Sequence, residues 1–348
     1  MSLGRQLREQ YLLWMKYPAW LFLSEHHDWY YRKQLYDPDI SPQASHSIPE
    51  VGKLAATTCA LWTRNQIRRK QPRPSDRKSH QARQLQSASV PTIPLIAKVG
   101  CGQAEFQSGY DADHLPETGL FAKLNSGYQG RGAMAWTCAG PNRYLRIREA
   151  TQREWTGREI VEQLRAQATE YVLQPRLVNH PDLVELTGET LCGVRILTFT
   201  DPATLLPVIF PYVWMKIARA GAIVDNLHAP GALPAIAASV EISSGVLGPA
   251  LGADLTWQAH HPDRGSRIEG RVLPYWKETL EAAMAAHRAF RPHGWAWGWD
   301  IAPTAHGPIV LEGNSNPDFS EEFFRDLMFG DVKEVSSLIE LCLLAERS

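Results

Sequence analysis

The stretch Trp295-Ala-Trp-Gly-Trp-Asp300-Ile-Ala302, followed by Ile309-Val-Leu-Glu312-Gly-Asn314, is the most informative part of this sequence. Strand alternation places the three tryptophans on one face of the first segment and Asp300 on the other, beside Gly298 and Ala302. Glu312 and Asn314 are two residues apart and therefore share a face of the second segment. A short turn joins the segments, so they predict a hairpin that brings two carboxylates and an amide oxygen together.

The oxygen ligands gathered on this hairpin are those that magnesium prefers, usually together with phosphate oxygens. The alternative is an edge hairpin whose polar residues simply face water. Because the flanking strands are strongly apolar, two acids and an amide converging here would be costly without a partner. The sequence therefore predicts a metal site formed by Asp300, Glu312 and Asn314.

A second segment, Leu120-Phe-Ala-Lys123-Leu-Asn-Ser-Gly127-Tyr-Gln-Gly130-Arg131-Gly132, runs from a β-like stretch into a loop with three glycines. Glycines let backbone N–H groups approach phosphate oxygens closely, and Lys123 supplies a compact positive charge. The segment lacks the Gly-Lys-Ser/Thr of a Walker A loop and the spacing of a dinucleotide fold. An ordinary turn explains the loop equally well when it is considered alone, and its weight comes from occurring together with the metal hairpin.

Two further groups of residues suggest a ligand between two lobes. The exit from an apolar strand at Gln174-Pro-Arg176-Leu177 can present backbone groups to an adenine ring. Arg195 lies in an apolar strand and needs a buried anionic partner, which is either a substrate or an internal salt bridge. A glycine- and proline-rich loop adds polar groups at Asp225, Asn226 and His228.

Composition limits the class of protein. The chain has 348 residues, a formal net charge of −1 and 21% charged residues, which predicts a globular protein without a general attraction to nucleic acid. A basic stretch over residues 64–78 could be a nucleic-acid arm, but a solvated linker is the default interpretation, so nucleic acid is not an expected partner. The five dispersed cysteines and the absence of a long apolar segment predict reduced thiols, no membrane span and a cytoplasmic location.

The order of the predicted elements favours an α+β architecture. We expect a helical, aromatic-rich N-terminal region over residues 1–72, whose aromatics either pack on the main body or bind a partner. Short strands are predicted from residue 94 onward, with helices over residues 157–169, 275–290 and 332–346. His287, within the second of these helices, is interpreted as structural.

These residues resemble the ATP-grasp superfamily, in particular its sugar-transfer-associated branch, over roughly residues 75–320. The motifs that carry the resemblance are these: Phe121-Ala-Lys123 with the glycine loop, Val194-Arg195-Ile, Asp225-Asn226, Gly298-Trp-Asp300-Ile-Ala, and Gly307-Pro-Ile-Val-Leu-Glu312-Gly-Asn314. The resemblance implies a catalytic domain over residues 73–330 that clasps ATP between two α+β lobes, at about residues 105–175 and 176–330. Residues 331–348 would follow as a C-terminal helix.

The resemblance also implies roles for individual residues. Asp300, Glu312 and Asn314 would bind two magnesium ions, with manganese as an alternative, and Lys123 would contact phosphate. An earlier phosphate-binding lysine of the family falls on Lys78. The adenine side falls on residues 174, 176 and 177, and the phosphate loop on residues 127 and 130–132.

Two positions depart from the family pattern. Gln174 stands where many relatives have glutamate, and Gly298-Trp299 precede Asp300 where carboxylate–amine ligases carry an arginine. Arg195 is the candidate to replace that arginine.

The activity implied by the resemblance is ADP-forming ligation of a small-molecule or peptide carboxylate to an amine. Arg195 and Lys123 would be catalytic, and Arg195, Asp225, Asn226 and His228 would line the substrate side. Two alternatives stay open: a phosphotransferase acting on a sugar or other hydroxyl, and a non-catalytic nucleotide-binding module. A homodimer is also left open.

Overall fold

The computed structural model describes residues 77–127, 130–201, 204–227, 234–252, 256–291 and 296–314. Nearly all of these residues belong to one compact unit, which comprises Pro72–Thr200 and Leu206–Pro317. The predicted N-terminal helical region, the C-terminal helix and His228 lie outside the described residues. The lobe boundaries at residues 105, 175 and 330 stay predictions.

A seven-stranded antiparallel sheet forms between residues 97 and 175, with the strand order β2-β1-β7-β3-β4-β5-β6. One of its faces is apolar and packs against helix α2 (Gly157–Arg165) through Ile160, Val161 and Leu164. Thr156 and Glu159 form a capping box that fixes the start of this helix. The helix ends at Arg165, four residues before the predicted end. The strands are β1 (Ala97–Gly100), β2 (Gln103–Phe106), β3 (Leu120–Leu124), β4 (Met134–Gly140), β5 (Arg143–Arg146), β6 (Glu154–Thr156) and β7 (Tyr171–Pro175).

A second seven-stranded antiparallel sheet forms between residues 194 and 314, with the order β12-β11-β10-β9-β8-β13-β14. Helix α4 (Trp276–Phe290) packs on its apolar face. Trp297 and Trp299 stack there with ring centroids 5.2 Å apart, and Phe290 meets both edge-on. The strands are β8 (Val194–Thr200), β9 (Pro207–Ile217), β10 (Ile236–Val240), β11 (Leu247–Leu251), β12 (Trp257–Gln258), β13 (Ala296–Thr304) and β14 (Gly307–Asn314).

The remaining helical elements brace the second sheet. Helix α1 (Lys78–Ser87) lies beside β14 and α4, and a 3-10 turn (Pro181–Leu183) leads into the short helix α3 (Val184–Thr187). Of the basic stretch, only Arg77 and Lys78 lie among the described residues, and Lys78, the proposed phosphate lysine, is the first residue of α1. Buried Gln81, Ala82 and Leu85 share one face of α1, which holds the helix against the body.

His287 on α4 is a structural residue, as predicted. Its ring nitrogens lie 2.7 Å from the hydroxyl of Thr198 and 2.9 Å from that of Thr200. Burial, reinforced by Arg291 and Arg288, lowers the pKa of His287 to about 4 from its ordinary 6.5. The folded protein therefore carries this imidazole neutral at pH 7.

The pKa of His287 predicts acid-sensitive stability. Between pH 6.5 and 4 the unfolded chain binds a proton at this position and the folded chain does not, so the free energy of unfolding falls as the pH falls. We expect proton binding at His287 to lower the free energy of unfolding by roughly 3 kcal/mol across this window. Urea denaturation of wild type and His287→Gln at pH 7 and pH 4.5 measures the difference. An equal acid-induced loss in both proteins would contradict the prediction.

Candidate active site

The predicted hairpin of β13 and β14 is present, and it places Asp300 directly opposite Glu312. Gly298 lies opposite Asn314, whose amide nitrogen is 3.5 Å from the Gly298 carbonyl oxygen. Directly opposed residues in an antiparallel pair project to the same face. Asp300, Glu312 and Asn314 therefore share the face of the second sheet that points away from α4, as the sequence predicts.

Glu312 is held by two lysines from different parts of the chain. Its Oε2 atom lies 3.3 Å from Nζ of Lys123 on β3 and 3.7 Å from Nζ of Lys78 on α1. Burial alone would raise the pKa of Glu312, but the two lysines outweigh it, and the net pKa lies well below the usual range. Burial lowers the pKa of Lys123 despite its ion pair. The structure thus brings both predicted phosphate lysines onto one predicted metal ligand.

Asp300 is buried and paired with two cations of its own. Arg195 on β8 donates through Nε to Oδ1 at 2.7 Å and through Nη2 to Oδ2 at 3.2 Å. Nζ of Lys216 on β9 lies 3.2 Å from Oδ2. Burial would raise the pKa of Asp300, but Arg195 and Lys216 hold it below its ordinary value. Of the two partners considered for Arg195, the internal salt bridge is present.

Lys216 extends this chain of charges to Asp225. Its Nζ atom is 3.6 Å from Oδ2 of Asp225, and the same oxygen accepts a hydrogen bond of 2.8 Å from the Gly193 backbone N–H. Burial raises the pKa of Asp225, although Lys216 opposes it. Asn226 follows, with its carbonyl oxygen accepting from the N–H of Ala235. The predicted substrate loop therefore begins in contact with the Asp300 cluster.

The glycine loop is anchored beside these charges. The Gly127 carbonyl accepts a 2.7 Å hydrogen bond from Nζ of Lys78. Gly130 has a φ of +63°, and an added Cβ would lie 2.9 Å from Cγ2 of Val224, so a side chain is excluded by both conformation and space. Arg131 and Gly132 lie in the exposed part of the loop. The loop therefore packs against the segment that carries Asp225.

The predicted adenine hinge lies at the end of β7. Gln174 is 4% exposed, and its Oε1 atom has no hydrogen-bond partner among the described residues. Gln174 pairs with Phe121, and Lys123 pairs with Val172, so Gln174 and Lys123 point to the same face of the first sheet. Nη2 of Arg176 donates to both the backbone oxygen and the side-chain Oε2 of Glu189. Half-buried Leu177 follows.

Sequence reasoning missed two residues that organise this site. Lys216 is a single lysine within the apolar run of residues 213–217, and that contrast was the signal. Asn125 is 1% exposed and ties the start of α1 to the residue before β7. Its backbone oxygen accepts from Lys78 N–H, its Oδ1 accepts from Ser79 N–H, and its Nδ2 donates to Glu170. Nothing in the sequence around Asn125 distinguishes it from an ordinary loop residue.

The family model for sugar-transfer associated ATP-grasp proteins matches residues 64–324. The chain belongs to this family. The match confirms the resemblance inferred from the motifs and the predicted α+β, ATP-grasp fold class. The two antiparallel sheets with their packed helices agree with that fold class. No protein of curated function matches the chain in sequence.

Several solved ATP-grasp structures are similar to this chain. D-alanine–D-alanine ligase from Bacillus anthracis is 13% identical over 79% of this chain and 70% of its own, with a TM-score of 0.41. D-cycloserine synthetase DcsG is 19% identical with the same coverage and TM-score. The ATP-grasp ligase PsnB, solved with a minimal precursor, is 15% identical over 77% of this chain and 60% of its own, with a TM-score of 0.40.

The donor set of this ATP-grasp chain fits magnesium. Asp300 and Glu312 are both held ionised and face each other across one strand pair, with the Asn314 amide next along β14. Within the described ranges, no three His, Cys, Asp or Glu side chains converge on one point. A magnesium ion held by one or two carboxylates and completed by phosphate and water does not need such a group.

The charge balance of the cluster favours an anionic ligand. Four cations, from Lys78, Lys123, Arg195 and Lys216, face the three carboxylates of Asp225, Asp300 and Glu312. One positive charge is in excess when all seven groups are ionised.

None of the described helices is long and apolar enough to cross a membrane.

Proposed function

We propose that this ATP-grasp chain is an ATP- and magnesium-dependent ligase that joins a carboxylate to an amine. A carboxylate oxygen attacks the γ-phosphorus of ATP, the bond to the β-phosphate oxygen breaks, and ADP leaves. The amine nitrogen then attacks the acyl carbon of the acylphosphate. Phosphate departs with the electrons of the carbon–oxygen bond, and the amine loses its proton to solvent.

The observation that carries the proposal is the convergence of Lys78 and Lys123 on Glu312, directly opposite Asp300. A bound magnesium would neutralise phosphate charge and act as a Lewis acid on the transferred group. Asp300, Glu312 and Asn314 would hold one or two such ions. Lys78 and Lys123 would then exchange Glu312 for phosphate oxygens, with which they form charge-assisted hydrogen bonds.

The second pair of cations supports a carboxylate as the other substrate. Transfer of a phosphoryl group to a carboxylate brings two anions together, whereas a sugar hydroxyl is neutral. Arg195 on β8 and Lys216 on β9 approach Asp300 from one side of β13, whereas Lys78 and Lys123 contact Glu312 on β14, the neighbour of β13 on its other side. Arg195 and Lys216 can neutralise the substrate carboxylate and the developing charge of the acylphosphate. Arg195 thereby takes the role of the arginine that does not precede Asp300.

The nucleobase would lie against the end of β7. The unpartnered Oε1 of Gln174 can accept a hydrogen bond from the exocyclic amino group of adenine, with the 176–177 backbone completing the contact. The backbone N–H groups of the glycine loop, with Arg131 in its exposed turn, would meet the phosphates. Asn226 and His228 complete the proposed substrate side.

Hydroxylamine tests the proposal without knowledge of the natural amine. The chain is incubated with ATP, magnesium and each of a panel of amino acids and other carboxylates, with hydroxylamine as the surrogate amine. We expect at least one carboxylate to give a hydroxamate with ADP in equal amount, because hydroxylamine captures an acylphosphate.

Two outcomes would contradict a ligase. ADP formation accompanied by a stable phosphate ester of an added sugar would establish the phosphotransferase instead. Nucleotide binding with no turnover across carboxylates and hydroxyl compounds would indicate a binding module. The retention of all four of Lys123, Asp300, Glu312 and Asn314 argues against the module.

We also propose a cytoplasmic location for the chain. Cys101, Cys138 and Cys192 are free thiols in the described ranges, as expected for a reducing compartment. Fractionation of cells that produce the full chain tests this location, and recovery with the membrane or in the medium would overturn it.

Gel filtration with light scattering decides between a monomer and a homodimer.

A further inference from the structure

Strand β14 carries two proposed metal ligands at the edge of its sheet. An edge strand presents N–H and C=O groups that no neighbouring strand satisfies. Near the middle of β14 this need is met by the segment before β1: Val310 N–H donates to the Pro91 carbonyl at 2.9 Å, and Thr92 Oγ1 donates to the Val310 carbonyl at 2.9 Å. The ligand-bearing end of the strand has a different partner.

That partner is the side-chain amide of Gln81 on α1. Gly313 N–H donates to Gln81 Oε1 at 3.0 Å, and Gln81 Nε2 donates to the Gly313 carbonyl at 2.6 Å. Gln81 is 6% exposed, so water does not compete for these bonds. The amide thus pairs with both backbone polar groups of one edge-strand residue, Gly313, as a neighbouring strand would.

Gly313 lies between Glu312 and Asn314, and its other side is also fixed. A Cβ atom added at Gly313 would lie 2.3 Å from Cζ3 of Trp299, so the backbone rests directly on that indole. With Trp299 on one side and Gln81 along its edge, the two peptide groups that flank Gly313 have little freedom to move. These groups join Gly313 to Glu312 and to Asn314, so the directions of those two side chains follow from their position.

Helix α1 also carries Lys78, three residues before Gln81 and on the same face of the helix. Lys78 reaches Glu312 at 3.7 Å while Gln81 holds the next residue of β14. One rigid helix therefore sets the position of a proposed phosphate lysine relative to the proposed metal ligands.

We propose that Gln81 is a positioning residue that holds Glu312 and Asn314 in register with Lys78 for binding of a divalent cation with nucleotide. The proposal rests on the proposed metal role of Glu312. Groups that orient metal ligands without touching the metal typically change its affinity by about 10- to 100-fold when removed. Gln81 acts through Gly313 and contacts no substrate.

The test is Gln81→Met, which keeps side-chain length and burial but removes both hydrogen bonds. Binding of Mn²⁺ with ADP is measured by electron paramagnetic resonance, and amide exchange at Gly313 by mass spectrometry. We expect roughly 10-fold or greater loss of Mn²⁺·ADP affinity, an altered Mn²⁺ spectrum, and faster exchange at Gly313.

Gln84→Met is the matched control, because Gln84 lies on the same helix and its side-chain amide donates to the Ala289 carbonyl of α4 instead of to β14. It should bind Mn²⁺·ADP as wild type does.

Wild-type Mn²⁺·ADP affinity and spectrum in Gln81→Met would overturn the positioning role. If that variant does not fold, Gln81→Asn, which keeps the amide and shortens it by one methylene, is measured with the same expected directions. Glu312→Ala separates this proposal from the proposed function. Loss of binding in Glu312→Ala but not in Gln81→Met refutes only the role of Gln81. Undiminished binding in Glu312→Ala refutes the metal role and the proposal that rests on it.

Discussion

Replacement of Glu312 by alanine is expected to lower magnesium-dependent ATP turnover by a factor on the order of 10³. The substitution removes a proposed metal ligand and also the carboxylate that Lys78 and Lys123 share at 3.7 and 3.3 Å. Both lysines would then face the phosphates without the ion between them. The measurement is the steady-state rate of ADP formation at saturating ATP over a range of magnesium concentrations.

Glu154→Ala is the control for this substitution. Glu154 lies on the edge strand β6, is half-exposed and pairs with Arg143, far along the sheet order from β3 and β7. It should turn over ATP as wild type does. Full magnesium-dependent turnover in Glu312→Ala would show that the metal role assigned to this residue is wrong.

Asp300→Asn is expected to impair both turnover and stability. Asp300 is 4% exposed and is the shared counter-ion of Arg195 and Lys216, each 8% exposed. The asparagine removes the negative charge that these two buried cations share. Removal of one member of a buried ion pair typically costs about 3–5 kcal/mol, and we expect a loss of that order in the free energy of unfolding, measured in urea. Turnover should fall by roughly 10²–10³ as well.

A more exposed ion pair provides the comparison. Asp263 accepts two hydrogen bonds from Arg219, and that guanidinium is the main reason why the pKa of Asp263 is lowered to about 2. Asp263→Asn should cost only about 1–2 kcal/mol, after allowance for solvent screening. It should leave turnover unchanged. An Asp300→Asn protein as stable as wild type would contradict the buried-cluster account.

The metal hairpin could be predicted because its information is local. Alternation over residues 295–302 places Asp300 opposite the tryptophan face, and Glu312 and Asn314, two residues apart, share a face. The pairing of Asp300 with Glu312 also depends on a β-bulge at Leu311, which the alternation pattern does not predict. Strands β3, β7 and β8 were likewise predicted from apolar runs that are buried in the sheets. The family match over residues 64–324 confirms the fold class.

The sequence could not predict which ions pair across strands. Asp300 meets Arg195 because β13 and β8 are neighbours in that register, and Lys216 follows from the pairing of β8 with β9. Asp300 and Arg195 are 105 residues apart, and a pairing at that separation leaves no periodic signal in one sequence. The short strands β2, β5 and β6, at or next to the edges of the first sheet, were also not predicted, because few of their residues are buried.

The ligase claim is tested most directly by the fate of a carboxylate oxygen. A carboxylate that supports hydroxamate formation is labelled with ¹⁸O and incubated with ATP, magnesium, the chain and an amine. The proposed mechanism predicts transfer of one ¹⁸O atom from the carboxylate to the released phosphate, because the oxygen that attacks the γ-phosphorus leaves with it. Unlabelled phosphate, or label retained entirely in the carboxylate, would contradict it.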